Sequence, residues 1–122
     1  MDKEEMERRY SAIDGKFFDR QGNAISLKQW GELMETDPDY KIVKQEEYKG
    51  YYVSTVWLGI DHNFARFTDP TLPPHIFETM IFKDNWWTLD YQERYSTEAE
   101  ALAGHEAAKR AIDNGEIEEL QI

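Results

Sequence analysis

The chain has 122 residues, the size of one domain with one core, which leaves no room for a second independent core. Lys and Arg number 14 against 25 Asp and Glu, a formal net charge of −11. That balance disfavours DNA, RNA and anionic membranes as direct partners, since their nonspecific affinity comes from basic groups. With 40% hydrophobic and 14% aromatic residues the chain is not a disordered acidic tail.

The absence of cysteine excludes disulfides, thiolate metal sites and cysteine nucleophiles, and fits a reducing cytosol. Met1-Asp2-Lys3-Glu4-Glu5 is charged, with no apolar stretch behind it, so a signal peptide is not expected. The longest apolar-rich stretch, Tyr51 to Ile60, is strand-like and falls short of the roughly 18 residues of a membrane span. The expectation is a soluble cytoplasmic protein forming a single domain over 1–122.

Residues 2–13 predict a short amphipathic helix with Met6, Tyr10 and Ile13 on one face. Phe17 to Ile25 reads as two short extended pieces around Gly22-Asn23. Ser26-Leu27-Lys28-Gln29 fits a capping box and opens a helix over about 26–36 that buries Leu27, Trp30, Leu33 and Met34. Asp37-Pro38-Asp39 stops it, because the residue before proline avoids helical geometry.

From Tyr40 the period changes to two. Strands are predicted over Tyr40–Tyr48, Tyr51–Ile60, His75–Lys83 and Trp86–Tyr95, with turns at Lys49-Gly50 and Asp84-Asn85 and a long irregular loop from Asp61 to Pro74. Residues 40–95 hold 13 of the 17 aromatics, so the large side chains must pack on this sheet. Thr97-Glu98-Ala99-Glu100 predicts a second capping box, and Asn114-Gly115 a left-handed stop. Between them Ala101, Gly104, Ala108 and Ala111 form a small-residue stripe beside Leu102, His105 and Ile112, suited to close packing on a sheet. Residues 115–122 predict an acidic tail. The expected fold is α+β: an antiparallel sheet of about four strands, a C-terminal helix across one face and a shorter N-terminal helix.

The three histidines are His62, His75 and His105. With Asp61, Glu78 or Glu106 they would suffice for a histidine–carboxylate metal site, yet no H-E-x-x-H or close histidine pair exists, and His105 reads more simply as a hydrogen-bonded core histidine. Asp61-His62-Asn63 opens the long loop, where a strand end positions polar side chains. Either Asp61 orients His62 beside Glu78 as an acid/base cluster, or Asp61 and Asn63 bond the local backbone as a turn, the favoured alternative. The serines lack a Gly-x-Ser-x-Gly context, and the glycines form no phosphate loop. Arg66, between Phe64 and Phe67, would clamp an anionic small molecule or form a surface salt bridge. Trp86 and Trp87 point to opposite sides of their strand, so one of them, with Tyr91, is an interface candidate unless a second layer or a symmetric copy covers it.

Three ordered blocks carry a resemblance: Val53-Ser54-Thr55-Val56-Trp57-Leu58-Gly59-Ile60-Asp61-His62; Pro74-His75-Ile76-Phe77-Glu78-Thr79-Met80-Ile81-Phe82; and Arg94-Tyr95-Ser96-Thr97-Glu98-Ala99-Glu100-Ala101-Leu102-Ala103-Gly104-His105-Glu106. Over residues 14–113 the chain resembles a family of small phage and prophage proteins with no assigned activity. The resemblance implies a viral product acting in the cytosol of a bacterial host, and it transfers no catalytic residue. Asn85-Trp86-Trp87 lies outside the shared pattern.

Two classes of function follow. The first is a non-catalytic accessory protein that binds a host protein or small host molecule, with a homodimer expected if the second sheet face is covered by another copy. Its ligand candidates are Asp61, His62, Arg66, His75, Glu78 and His105, with no metal and no cofactor. The alternative is a small metal-dependent or acid/base hydrolase using Asp61, His62, Glu78 and His105. Residues 97–122 carry seven acidic and two basic groups, whereas residues 51–75 carry two and one. A DNA-mimicking role would therefore belong to the C-terminal helix and tail, and a small-ligand role to the sheet and its loop.

Overall fold

A computed structural model describes residues 16–83 and 88–117, with backbone only for 88–90. The order is β1 (Phe17–Phe18), β2 (Ala24–Ile25), α1 (Leu27–Thr36), β3 (Ile42–Tyr48), β4 (Tyr51–Trp57), a single 3-10 turn (Phe64–Phe67), β5 (Phe77–Lys83), β6 (Thr88–Tyr95) and α2 (Glu98–Asp113). Strands β3 to β6 form an antiparallel sheet in sequence order, and β1 pairs with β2 in a small hairpin. The expected α+β architecture is the observed one. The expected helix over 2–13, the turn at Asp84-Asn85 and the end of the acidic tail lie outside the described residues.

Local chemistry accounts for the element ends. Ser26 Oγ accepts the Gln29 N–H at 3.1 Å while Gln29 Oε1 accepts the Ser26 N–H at 2.9 Å, a complete capping box. At α2 the device is half-formed. Thr97 Oγ1 accepts the Glu100 N–H at 3.1 Å, but Glu100 takes a hydrogen bond from the Thr97 hydroxyl rather than from its backbone. Helix α2 ends in a Schellman arrangement, with Gly115 N–H on the Ile112 carbonyl and Glu116 N–H on that of Ala111. In the β3–β4 hairpin, Lys49 and Gly50 both take positive φ, 51° and 86°, which gives the tight two-residue turn a twist matching its strands.

Strand β4 stops at Trp57 rather than at Ile60. Gly59, at φ 76°, turns the chain there, and a Cβ would fall 2.5 Å from both the Trp30 and Trp57 rings. Strand β5 starts at Phe77 rather than at His75, although Ile76 still donates its N–H to the Tyr95 carbonyl.

Register decides which residues face the helices. Val53↔Ile81, Thr55↔Thr79 and Trp57↔Phe77 lie on the covered face, all fully or almost fully buried. Helix α2 buries Ala101, His105, Ala108 and Ala111 there, so the small-residue stripe does lie against the sheet. Leu102, one position round the helix, is exposed instead. Trp30, Leu33 and Met34 of α1 close the same face around Phe18, Trp57 and Phe77. Each indole N–H finds a carbonyl: Trp57 Nε1 that of Phe18 and Trp30 Nε1 that of Leu58, both at 3.0 Å. The other face carries Tyr52↔Phe82, Ser54↔Met80 and Val56↔Glu78, and among the described residues no helix packs on it. No helix among the described residues is long and apolar enough to cross a membrane.

Candidate functional site

Past Gly59 the chain runs antiparallel to β1: Phe18 N–H bonds the Gly59 carbonyl, Phe17 pairs with Ile60, and Asp61 N–H bonds the Lys16 carbonyl. This brings Lys16 beside a loop more than forty residues away in sequence. Asp61 then organises that loop. Its Oδ1 accepts the N–H groups of Asn63 at 2.8 Å and His75 at 3.0 Å, and its Oδ2 accepts Arg66 Nη1 at 2.6 Å. Burial alone would raise the Asp61 carboxyl, but the two amides and the guanidinium outweigh it and hold it below the usual carboxylate range. Asn63 caps the 3-10 turn by accepting the Ala65 N–H and donates its amide to the Pro73 carbonyl. Thus Asp61 and Asn63 bond local backbone, the turn anticipated as the simpler reading.

The 3-10 turn carries Phe64 and Phe67, 69% and 74% exposed. Their rings are parallel within 5°, with centroids 6.5 Å apart. With Lys16, Ile60, Asp61, Asn63 and Arg66 they line a cavity of about 340 Å³. Lys16 Nζ sits 5.5 Å from the Phe67 ring centroid, and the Arg66 guanidinium lies 5.7 Å from that of Phe18. Arg66 Nε–H is buried without an acceptor.

A second polar cluster lies on the covered sheet face. His105, fully buried, places Nε2 2.9 Å from Glu46 Oε1 and Nδ1 2.8 Å from Thr55 Oγ1, which is 2.6 Å from Thr79 Oγ1. The hydrogen bond with His105, then Lys109, lowers the Glu46 carboxyl. An ionised Glu46 only accepts, so the proton of that bond sits on Nε2. The order carboxylate–imidazole–hydroxyl has the shape of a nucleophilic relay, but Thr55 and Thr79 are completely buried and no substrate reaches them. One potential ligand atom from each of Glu46, His105 and Glu106 falls within 4.8 Å of the others. Two ammonium groups already serve those carboxylates: Lys44 Nζ is 2.9 Å from Glu106, and Lys109 Nζ is 3.2 Å from Glu46 and 3.4 Å from Glu106. The cluster works as a buried histidine tied to a surface ion-pair network, the core role foreseen for His105.

The residues singled out in the sequence do not converge. Asp61 and Arg66 line the loop cavity, whereas His62 and His75 do not and are held to each other through backbone, with His62 N–H on the His75 carbonyl at 2.9 Å. Glu78 lies on the open sheet face, with Arg94 Nε at 3.0 Å and Gln92 Nε2 at 2.8 Å on its Oε2. His105 lies on the opposite face, since Thr55↔Thr79 and Val56↔Glu78 are adjacent pairs of opposite parity. Tyr91 packs on the cluster of Val53, Ile81 and Ala108, on the core side, and burial pushes its phenol up to about 12. Trp86 and Trp87 lie outside the described residues. Lys16, Phe64 and Phe67 were not among the expected site residues. The usable signal for the phenylalanines was two large apolar residues three apart in a polar, proline-containing loop, where no regular element buries them.

The acidic helix is less free than its composition implies. Glu98 pairs with Arg20, Glu106 with Lys44 and Lys109, and Asp113 with Lys49 and the Tyr48 hydroxyl. Comparisons with protein-family models, with curated proteins and with solved structures found no match.

Proposed function

We propose that the chain is a non-catalytic binding protein, a phage accessory factor acting on a protein or small molecule of its bacterial host, and that it binds through the loop at 60–67. The observation that carries this reading is the parallel Phe64–Phe67 pair, mostly exposed beside two cations and above a cavity. Covering one such ring is worth about 2 kcal/mol, so two adjacent exposed rings are a surface that gains by being covered. The resemblance to small phage proteins supports the viral origin and the host cytosol. A DNA-mimicking role is less well supported, because three acidic side chains of α2 are neutralised within the molecule. A dimer is not required either: Gln45, Ser54, Gln92 and the Glu78–Arg94 pair interrupt the apolar side chains of the open sheet face.

The test is retention from bacterial lysate by tagged wild-type protein and by a Phe64→Ala/Phe67→Ala double variant, whose changes are exposed and leave the core intact. The wild type should hold one partner or small molecule at fixed stoichiometry, released by denaturation with its mass unchanged, and the variant should lose it. Equal retention by both, retention by neither, or release of a chemically altered molecule overturns the reading.

A further inference from the structure

The chemistry of the loop cavity narrows what can fill it. In a chain of net charge −11, its charged lining is Lys16, Arg66 and Asp61, a local excess of positive charge. Asp61 is already committed, with both oxygens engaged by two amides and Arg66. Among the described residues Lys16 faces the Phe67 ring and no carboxylate. Arg66 uses only Nη1, and its Nε–H lacks an acceptor while hidden from water. The guanidinium keeps donors beyond Nη1 that an anionic oxygen in the cavity can take, as a charge-assisted hydrogen bond. The apolar part of the lining is two stacked phenyl rings, parallel within 5° with centroids 6.5 Å apart, next to Ile60. A planar ring stacks on an exposed phenyl face of this pair, whereas a bare anion leaves it uncovered. At about 340 Å³ the cavity is at the small end of the range that encloses small molecules.

We infer that the pocket takes a planar aromatic ring bearing a single phosphate or carboxylate, with the ring against Phe64 and Phe67 and the anion between Lys16 and Arg66. This rests on the binding reading above and names its ligand class. The local charge sets the preference for one anionic group: a polyphosphate would bring more negative charge than Lys16 and a half-neutralised Arg66 can balance, within a strongly acidic molecule.

Isothermal titration of the full chain tests it with four probes. Adenosine 5′-monophosphate and indole-3-acetate combine ring and anion; adenosine is a ring without charge, and inorganic phosphate a charge without ring. At least one ring-bearing anion should bind one per chain, with adenosine and phosphate each weaker by about tenfold or more. Which of the two binds separates a phosphate source from a carboxylate source. Phe67→Ala and Lys16→Gln, both at exposed side chains, should each weaken that anion by about fivefold or more, and Arg66→Gln by about tenfold. The two exposed substitutions keep the test valid if Arg66→Gln disturbs the loop. Adenosine binding as tightly as its monophosphate, phosphate binding as tightly as either ring-bearing anion, full affinity in Phe67→Ala, or no binding at millimolar concentration each overturns the inference. In the last case, a partner still lost by the Phe64→Ala/Phe67→Ala variant leaves the binding reading standing and makes its target a protein segment.

Discussion

One carboxylate holds the site loop in place. Asp61 is nearly buried, and its three hydrogen bonds tie together the loop start, the arginine of the 3-10 turn and the chain entering β5. Asp61→Ala leaves two amides and a guanidinium without their acceptor, and should cost about 3 kcal/mol in urea unfolding near pH 7. Asp61→Asn keeps one oxygen for both amides but turns its N–H₂ toward Arg66, which loses the ion pair, so its cost should be nearer 1 kcal/mol. The pH dependence separates the charge from the geometry. The folded-state pKa is depressed, so the carboxylate's contribution is complete above the unfolded value of about 3.8 and is lost as pH falls through the folded one. The gap between wild type and Asp61→Asn should close on acidification below about pH 4, while the gap to Asp61→Ala persists. An Asn variant as damaged as the Ala variant at neutral pH would place the whole effect in the ion pair.

Two glycines show how an element's demands differ along the chain. Gly31 in α1 has open space where a Cβ would go, whereas at Gly104 in α2 that Cβ would lie 2.1 Å from the Tyr95 ring and hydroxyl. Gly31→Ala should stabilise by about 0.5–1 kcal/mol through helix propensity and a less disordered unfolded chain. Gly104→Ala must push a half-buried tyrosine off the helix and should destabilise by about 2 kcal/mol, as overpacking does, with both read from thermal and urea midpoints. The sequence supports the small-residue stripe of α2, because its spacing is a local property of one helix. The Ser26–Gln29 box was readable for the same reason: four adjacent residues satisfy one another. Neither the pairing of Gly104 with Tyr95 nor that of His105 with Glu46 was legible, since each depends on how α2 lands across the strands. The same limit applied to the site. Asp61 and Arg66, five residues apart, stood out, but Lys16 arrives through β1. Glu78, which only the less favoured acid/base alternative set beside Asp61 and His62, faces away from His105 because strand register assigns it the other parity.

At the scale of the whole molecule, the charges of α2 fasten the helix to the sheet, and their titration should set both edges of the stability profile. His105 and Lys109 lower Glu46, Lys44 lowers Glu106, and the Lys49 ammonium lowers Asp113. Depressed carboxylates contribute fully above their unfolded values, 4.5 for Glu and 3.8 for Asp, and lose that contribution as pH falls, which gives the acid limb. Lys49 and Lys109 are raised by hydrogen bonds to Asp113 and Glu46, and Tyr91 is raised to about 12 by burial. Raised groups contribute fully below their unfolded values, 10.5 for Lys and 10.0 for Tyr, and lose that contribution as pH rises, which gives the alkaline limb. Urea midpoints should therefore fall as pH drops below about 4.5 and as it rises above about 10. Glu46 lies at the junction, as it meets both His105 and Lys109. Glu46→Gln should lower the plateau and flatten both limbs, the acid one by removing a depressed carboxylate and the alkaline one by removing the partner that raises Lys109. Tyr91→Phe should flatten the alkaline limb alone. If Glu46→Gln lowers the midpoint by the same amount at every pH, Glu46 acts through packing and hydrogen bonding without its charge, and the coupling between helix and sheet is not electrostatic.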